Sequence, residues 1–239
     1  MTCESTFGTL LMGADAVSCG RRDGRRRAAF QWAMVATIRA AAAAAGLCCE
    51  RWIWERAGDG GVALLPPDQP GPLLVGDFVQ ALNRTLAWLN GELAHDARLR
   101  LRAAIHYVTA IPAQSGWAAR GVVAVSRLLD SRPIRLAPAA ADGANLAVIL
   151  SRQAFDRVVR PGGVPLREPD FRRVTVAGQE YPAQAWLRVP GLGPDEPAVD
   201  DYEPAVGDCE LAVGDPMGHP VNLAAATAGD AAGGYLRSS

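Results

Sequence analysis

Residues 47–65, LCCERWIWERAGDGGVALL, decide how the rest of the sequence is interpreted. Strand-forming residues fill 47–56, turn formers with Asp-Gly at their centre occupy 57–61, and a short apolar segment follows over 62–65. Asp-Gly between two such segments is typical of a β-hairpin. We therefore predict two antiparallel strands here, joined by a tight turn.

The residues before this hairpin predict a strand and then a helix. Residues 7–17 (FGTLLMGADAV) are mostly apolar and end in polar residues, as a buried strand does. Residues 28–45 are alanine-rich and carry large apolar residues at helical spacing, and Gly46 ends the helix. A strand, a helix and a hairpin in this order form a split βαβ unit, in which the first strand lies beside the hairpin.

The remaining segments extend this pattern to about residue 191. We predict helices over 74–93 and 152–159, with Ser151 capping the second of them, a loop and then a helix over 116–130, and strands over 98–110, 145–150, 171–176 and 183–189. The order β-α-β-β-α-β-α-β-α-β-β predicts the α+β class, a ferredoxin-like split βαβ sandwich whose antiparallel-rich sheet is flanked by helices. Residues 1–191 would form this domain, and the Gly-, Pro- and Ala-rich residues 192–239 a disordered tail.

The composition excludes several classes of function. The chain has 239 residues and a formal net charge of −1, and all 24 of its basic residues are Arg. Without Lys, any cationic chemistry must come from Arg, a metal or main-chain N–H groups. The near-zero charge argues against a general nucleic-acid binder. Five Cys without a CxxC motif, no signal peptide and no membrane-spanning segment predict a cytoplasmic protein.

Two aspartates are candidate metal ligands. Asp15 ends the first predicted strand, and Asp59 lies at the tip of the hairpin. Because that strand lies beside the hairpin in a split βαβ unit, the two carboxylates can meet at one sheet edge. Paired carboxylates and carbonyl oxygens suit Mg²⁺ or Mn²⁺. Taken singly, Asp59 also fits an ordinary hairpin turn, and Asp15 an ordinary strand end.

Two other features point to phosphate chemistry. The small loop Ser18, Cys19 and Gly20 offers main-chain N–H groups ahead of a helix, an arrangement that can bind phosphate. Arg127 lies among Val, Leu and Ala in a predicted helix. Such an Arg either pairs with a nearby acid such as Asp130 or stabilises charge on a transferring phosphoryl group.

Four motifs in the same order resemble the catalytic domain of class III nucleotidyl cyclases. They are Asp15, Gly58-Asp59-Gly60, Ile105-His106 at the end of a strand, and Arg127 in its helix. The sequence is also similar to the pyrimidine cyclases of bacterial Pycsar anti-phage systems. The motifs in common are Gly-Asp-Gly before an apolar strand, Arg-Leu-Leu-Asp at a helix end, and Trp-x-x-Val-Pro-Gly over 186–191.

This resemblance implies a metal-dependent lyase that converts UTP (or CTP) to the 3′,5′-cyclic monophosphate and pyrophosphate. Two Mg²⁺ or Mn²⁺ per active site would be held by Asp15, Ala16 and Asp59 of one subunit of a homodimer. Arg127 of the other subunit would stabilise the transition state. The product, cyclic UMP in the leading interpretation, would act in antiviral defence as a second messenger for a separate effector protein.

The sequence departs from the purine-cyclising relatives at the base pocket. Glu55 stands where they carry a base-reading Lys, and Val123 where they carry an Asn. Both departures favour a rebuilt pocket, so Trp54, Glu55 and Arg56 are candidate base-binding residues, with packing as the alternative for Trp52 and Trp54. Two other functions stay open: an adenylate cyclase with an unusual pocket, and a catalytically silent nucleotide-binding or dimerisation module.

Overall fold

The computed structural model describes residues 7–17, 24–57, 60–110, 117–140, 144–177 and 182–193. Three of the predictions fall elsewhere in the chain. Asp59, the loop Ser18–Gly20 and the tail beyond residue 193 lie outside the described residues.

Seven strands form one mixed sheet in the described part of the chain. They are β1 (Phe7–Ala16), β2 (Ile53–Ala57), β3 (Gly60–Leu64), β4 (Leu101–Ala110), β5 (Leu146–Ser151), β6 (Arg172–Val176) and β7 (Ala183–Arg188). Their spatial order is β2-β3-β1-β4-β5-β7-β6. Only the β4–β5 pair is parallel, and the other five pairs are antiparallel.

The strand order confirms the predicted α+β class and the split βαβ unit. The hairpin strand β3 pairs with β1 on one side and with β2 on the other, so it separates the two strands joined by the first helix. In the same way, β1 separates β3 from β4. Two interleaved units of this kind define a ferredoxin-like sheet.

Helices cover both faces of the sheet. They are α1 (Gly24–Ala44), α2 (Gly71–Leu73), α3 (Val79–Asn90), α4 (Trp117–Asp130), α5 (Arg132–Ala140) and α6 (Arg152–Ala154), with π-helical turns over Leu74–Phe78 and Phe155–Val159. Gly46 ends helix α1 and adopts the left-handed backbone region, with φ of +72°. The predicted cap of α6 is confirmed, because the Ala154 N–H donates to Ser151 Oγ over 3.1 Å.

Alternation along the strands divides the buried side chains between two layers. Leu10 and Met12 of β1 pack with α1 and α3, in what we call the first layer. Leu11, from the opposite face of β1, packs with Val125 and Leu129 of α4 in the second layer. Successive strand residues point to opposite faces, so one strand supplies both layers.

Three local predictions were wrong in detail. Residues 49–51 form a 3₁₀ turn rather than the start of a strand, and the helix predicted over 74–93 begins at Gly71 and ends at Asn90. Helix α5, which carries Pro133 in its first turn, was not predicted. Proline is tolerated in a helix's first turn, where its missing N–H would have no helical partner. Among the described residues, no helix has the length and apolar character needed to cross a membrane.

Candidate functional site

The end of the sheet brings a carboxylate and a guanidinium side by side. Asp15 of β1 pairs in register with Gly60 of β3 on one side and with Arg102 of β4 on the other. Asp15 shares its face of β1 with Leu11, so its side chain lies on the second-layer side of the sheet. Backbone pairing thus aligns Gly60, Asp15 and Arg102 across three neighbouring strands, with Asp15 at the centre, and we call these three residues the row.

Arg102 binds both carboxylate oxygens of Asp15. Its Nε donates to Oδ1 over 2.8 Å, and its Nη2 donates to Oδ2 over 2.6 Å. Both side chains are largely buried, with exposed fractions of 17% for Arg102 and 19% for Asp15. A planar guanidinium fork on a carboxylate is the strongest ion-pair geometry available to these residue types.

Arg102 was missed by the sequence analysis. The alternation of Arg98, Arg100 and Arg102 along the predicted strand indicated only a polar face. Its importance comes from a partner 87 residues earlier in the chain. Only the strand order, together with the register of β1 against β4, identifies Arg102 as a site residue.

Gly60 lets the hairpin approach Asp15 closely. A Cβ atom placed on Gly60 would lie 2.2 Å from the Ala14 carbonyl oxygen and 2.8 Å from Asp15 Cβ. Both distances are far below a normal contact, so this position requires glycine. Gly60 is buried, and it follows Asp59 directly in the sequence.

The donor chemistry at this edge fits a hard divalent cation. Carboxylate oxygens, as on Asp15, and main-chain carbonyl oxygens, as on Ala16, are the ligands that Mg²⁺ and Mn²⁺ prefer. Within the described ranges, no cluster of three or more His, Cys, Asp or Glu side chains has metal-binding geometry. A cation here therefore needs further oxygens, from Asp59 or from a bound phosphate, and competes with Arg102 for the Asp15 carboxylate.

Arg127 lies on the same side of the sheet as Asp15 and borders a cavity. Helix α4 packs across β4 and β1, and Arg127 near its end is half-buried. It lines a cavity of about 360 Å³ together with residues of the α4–α5 junction and the end of β6 (Asp130, Ser131, Arg132, Pro133, Thr175, Val176 and Ala177). Strand β6 lies four strand positions from β1, about 19 Å away. Arg127 therefore borders a cavity beside the end of β6.

The three candidate base-binding residues divide between the two faces of β2. Trp54 packs against the first layer and Ile53 against the second. By strand alternation, Glu55 projects on the second-layer side with Asp15, whereas Arg56 projects with Trp54 on the other. Of the three, only Glu55 shares a face with Asp15.

Trp52 has a structural role. It is 7% exposed, and its indole Nε1 donates to Gln69 Oε1 over 3.1 Å. Its ring meets Phe78 edge to face, with 5.9 Å between ring centroids. These contacts support the packing alternative for this residue.

His106 lies apart from the Asp15–Arg102 pair. It is four residues further along β4, about 13 Å away, and its Nδ1 lies 2.9 Å from Ser151 Oγ. Burial lowers the pKa of His106 below its ordinary value, which favours the neutral ring. The ring therefore links β4 to the cap of α6.

Comparisons with known proteins return structural similarity alone. No family model matches the sequence, and the search of curated proteins finds no match. Similar solved structures include the adenylate/guanylate cyclase/hydrolase from Silicibacter pomeroyi, at 14% identity and TM-score 0.48, covering 78% of this chain and 98% of that chain. The monomeric guanylyl cyclase domain of the RhoGC fusion protein from the aquatic fungus Blastocladiella emersonii has 11% identity and TM-score 0.46, covering 79% and 97%.

The guanylyl cyclase Cya2 is a third similar structure, at 12% identity and TM-score 0.45, covering 82% of this chain and 98% of that chain. Identities below 25% and TM-scores below 0.5 assign no function to this chain.

Proposed function

We propose that this chain is a metal-dependent nucleotidyl cyclase acting on a pyrimidine triphosphate, UTP or CTP. The observation that carries the proposal is the row Gly60, Asp15 and Arg102 at one end of the sheet. It combines a carboxylate suited to a divalent cation, a guanidinium suited to phosphate oxygens, and a glycine that lets the hairpin approach Asp15 closely. Residues 1–191 would form the catalytic domain.

The proposed reaction is an in-line displacement at the α-phosphorus. The substrate 3′-hydroxyl loses its proton and forms a bond to that phosphorus, while the bond to the bridging oxygen breaks and pyrophosphate leaves. Two Mg²⁺ or Mn²⁺, when bound, would supply charge neutralisation and activate the hydroxyl. Asp15, the Ala16 carbonyl and Asp59 would hold them.

Arginines supply the remaining positive charge in this proposal. Arg102, once released from Asp15, presents a bidentate donor to phosphate oxygens. Arg127 would act on the site of a partner subunit in a homodimer and meet the charge that develops in the transition state. The loop Ser18, Cys19 and Gly20 would donate main-chain N–H groups to phosphate.

Pyrimidine specificity rests on the base-reading position. Glu55 lies on the Asp15 face, and the chain has no Lys to take its place. A carboxylate there can accept a hydrogen bond from uracil N3–H or from the cytosine amino group, and it cannot donate to a ring nitrogen or carbonyl as a Lys would. The cyclic product would be the messenger for a separate effector in anti-phage defence.

The test is conversion of nucleotides by the purified protein. Each of the four ribonucleoside triphosphates is incubated with Mn²⁺, and the products are identified by liquid chromatography with mass spectrometry. We expect cyclic UMP (or cyclic CMP) and pyrophosphate, both abolished by Asp15→Ala and by Asp59→Ala but not by Asp77→Ala, an exposed acid elsewhere. No cyclic product from any nucleotide would refute the proposal, and cyclic AMP would make the enzyme an adenylate cyclase.

Complementation tests whether Arg127 acts in trans. Asp15→Ala and Arg127→Ala should each be inactive alone. Mixed dimers of the two variants contain one intact site, so an equimolar mixture should recover about a quarter of the wild-type rate. No recovery on mixing, with dimers present by light scattering, would contradict the shared site.

A further inference from the structure

We propose that the Asp15–Arg102 pair is a latch that couples metal binding to triphosphate binding. With no phosphate bound, Arg102 holds both oxygens of Asp15 and keeps the affinity for a divalent cation low. A triphosphate draws the guanidinium away and opens the carboxylate to the metal. The latch rests on the proposed function, since it concerns the order in which that site fills.

The geometry of the pair leaves little of the carboxylate available. The contacts of 2.8 and 2.6 Å use one oxygen each, so neither oxygen is free of the guanidinium. The two residues are directly opposite each other on β1 and β4, and sheet pairing therefore fixes their separation. With about four-fifths of each side chain covered, water screens the interaction much less than at a surface pair.

Arg102 and a divalent cation compete for the Asp15 carboxylate, so Arg102 should lower the affinity for the cation. A divalent cation must take at least one of the oxygens that Arg102 holds, and it must do so next to a positive charge that repels it. A polyphosphate has the opposite effect, because its oxygens offer the same fork geometry and more negative charge than one carboxylate. Coupling between two ligands is reciprocal, so each should strengthen the binding of the other.

The residues in line with Arg102 on the neighbouring strands are small, apart from its partner Asp15. Its neighbours in the row are Asp15 on β1 and Ala147 on β5, and Gly60 lies beyond Asp15 on β3. No large side chain from these strands stands in the row. The exchange we propose is a rotation of the Arg102 side chain, with the backbone of the sheet unchanged.

The first test measures Mn²⁺ binding without phosphate. Mn²⁺ is titrated into the full-length protein and the free ion is followed by electron paramagnetic resonance. Arg102→Met removes the competing charge and should tighten Mn²⁺ binding by roughly 10- to 100-fold, the usual range of coupling between sites. Adding Asp15→Asn should abolish that gain. Arg84→Met, an exposed Arg on α3, is the matched control and should bind as wild type.

The second test measures phosphate binding without metal. Asp15→Asn keeps the shape of the side chain but removes its charge, which frees Arg102. In the presence of EDTA, this variant should bind inorganic tripolyphosphate roughly tenfold more tightly than wild type by calorimetry. The Asp15→Asn/Arg102→Met double variant should lose this gain.

The outcomes separate the latch from the proposed function. Unchanged or weaker Mn²⁺ binding in a folded Arg102→Met protein would overturn the latch. If that variant fails to fold, as judged by circular dichroism, the tripolyphosphate arm decides, and an unchanged affinity in Asp15→Asn overturns it. If the binding shifts appear but no nucleotide is cyclised, the latch stands and the cyclase proposal fails.

Discussion

Replacing Gly13 by alanine should destabilise the protein, because β1 at this position lies directly beneath α4. An added Cβ would lie 2.3 Å from Val125 Cγ1 and 3.0 Å from Leu129 Cδ1. Carbon atoms in good contact are about 3.5–4.0 Å apart, so the helix must move by roughly 1 Å. Val125 is fully buried and β-branched, and a β-branched residue in a helix has only one strongly preferred χ1 rotamer.

The expected loss of stability follows from this overlap. Overpacking by a methyl group costs about 1–3 kcal/mol, and replacing glycine within a strand returns about 0.5–1 kcal/mol of backbone entropy. The net loss in the free energy of unfolding should therefore be about 1–2 kcal/mol. For a domain of this size, that corresponds to a fall in Tm of roughly 2–8 °C. The displaced α4 also carries Arg127, so the proposed activity should fall as well.

Urea denaturation followed by circular dichroism measures the effect. Gly193→Ala is the matched control, because no atom lies within 4 Å of the added Cβ, and its free energy of unfolding should change by less than about 0.5 kcal/mol. Val125→Ala removes the clashing methyl group, so Gly13→Ala should cost much less in that background. A neutral Gly13→Ala, or strictly additive effects in the double variant, would refute the packing argument.

Two further predictions concern buried polar groups. Burial lowers the pKa of His106, so its contribution to stability is complete above the ordinary pKa of about 6.5 and declines as the pH falls through the lowered folded value. The urea midpoint of the wild-type protein should therefore fall between about pH 8 and about pH 5, and His106→Gln should reduce that fall. An identical fall in the variant would exclude this histidine as the cause. Asn90 accepts from the Leu99 N–H over 2.8 Å and donates to Asn145 Oδ1 over 2.7 Å. Asn90→Ala leaves both partners unsatisfied and should cost about 2–3 kcal/mol in the same assay, whereas an unchanged midpoint would contradict it.

Local chemistry in the sequence was sufficient for most of the secondary structure. Asp-Gly between two strand-forming segments predicted the hairpin, and helical spacing predicted α1, in which Met34 and Ile38 are buried. Ser151 before a helix predicted its cap. These signals act over a few residues, so they do not depend on the rest of the chain. The order of the elements then restricted the fold to a split βαβ sheet.

Long-range pairing decided what the sequence left open. Asp15 was recognisable as a candidate because it ends an apolar strand, but Arg102 became its partner only through the register of β1 against β4. Alternation predicted that Trp54 and Glu55 lie on opposite faces of a strand, yet only the packed helices identify which face belongs to Asp15. A pattern along the chain records which residues share a face. Which strand lies opposite, and in which register, is set by the free energy of packing the whole sheet, and that is where the Asp15–Arg102 pair is made.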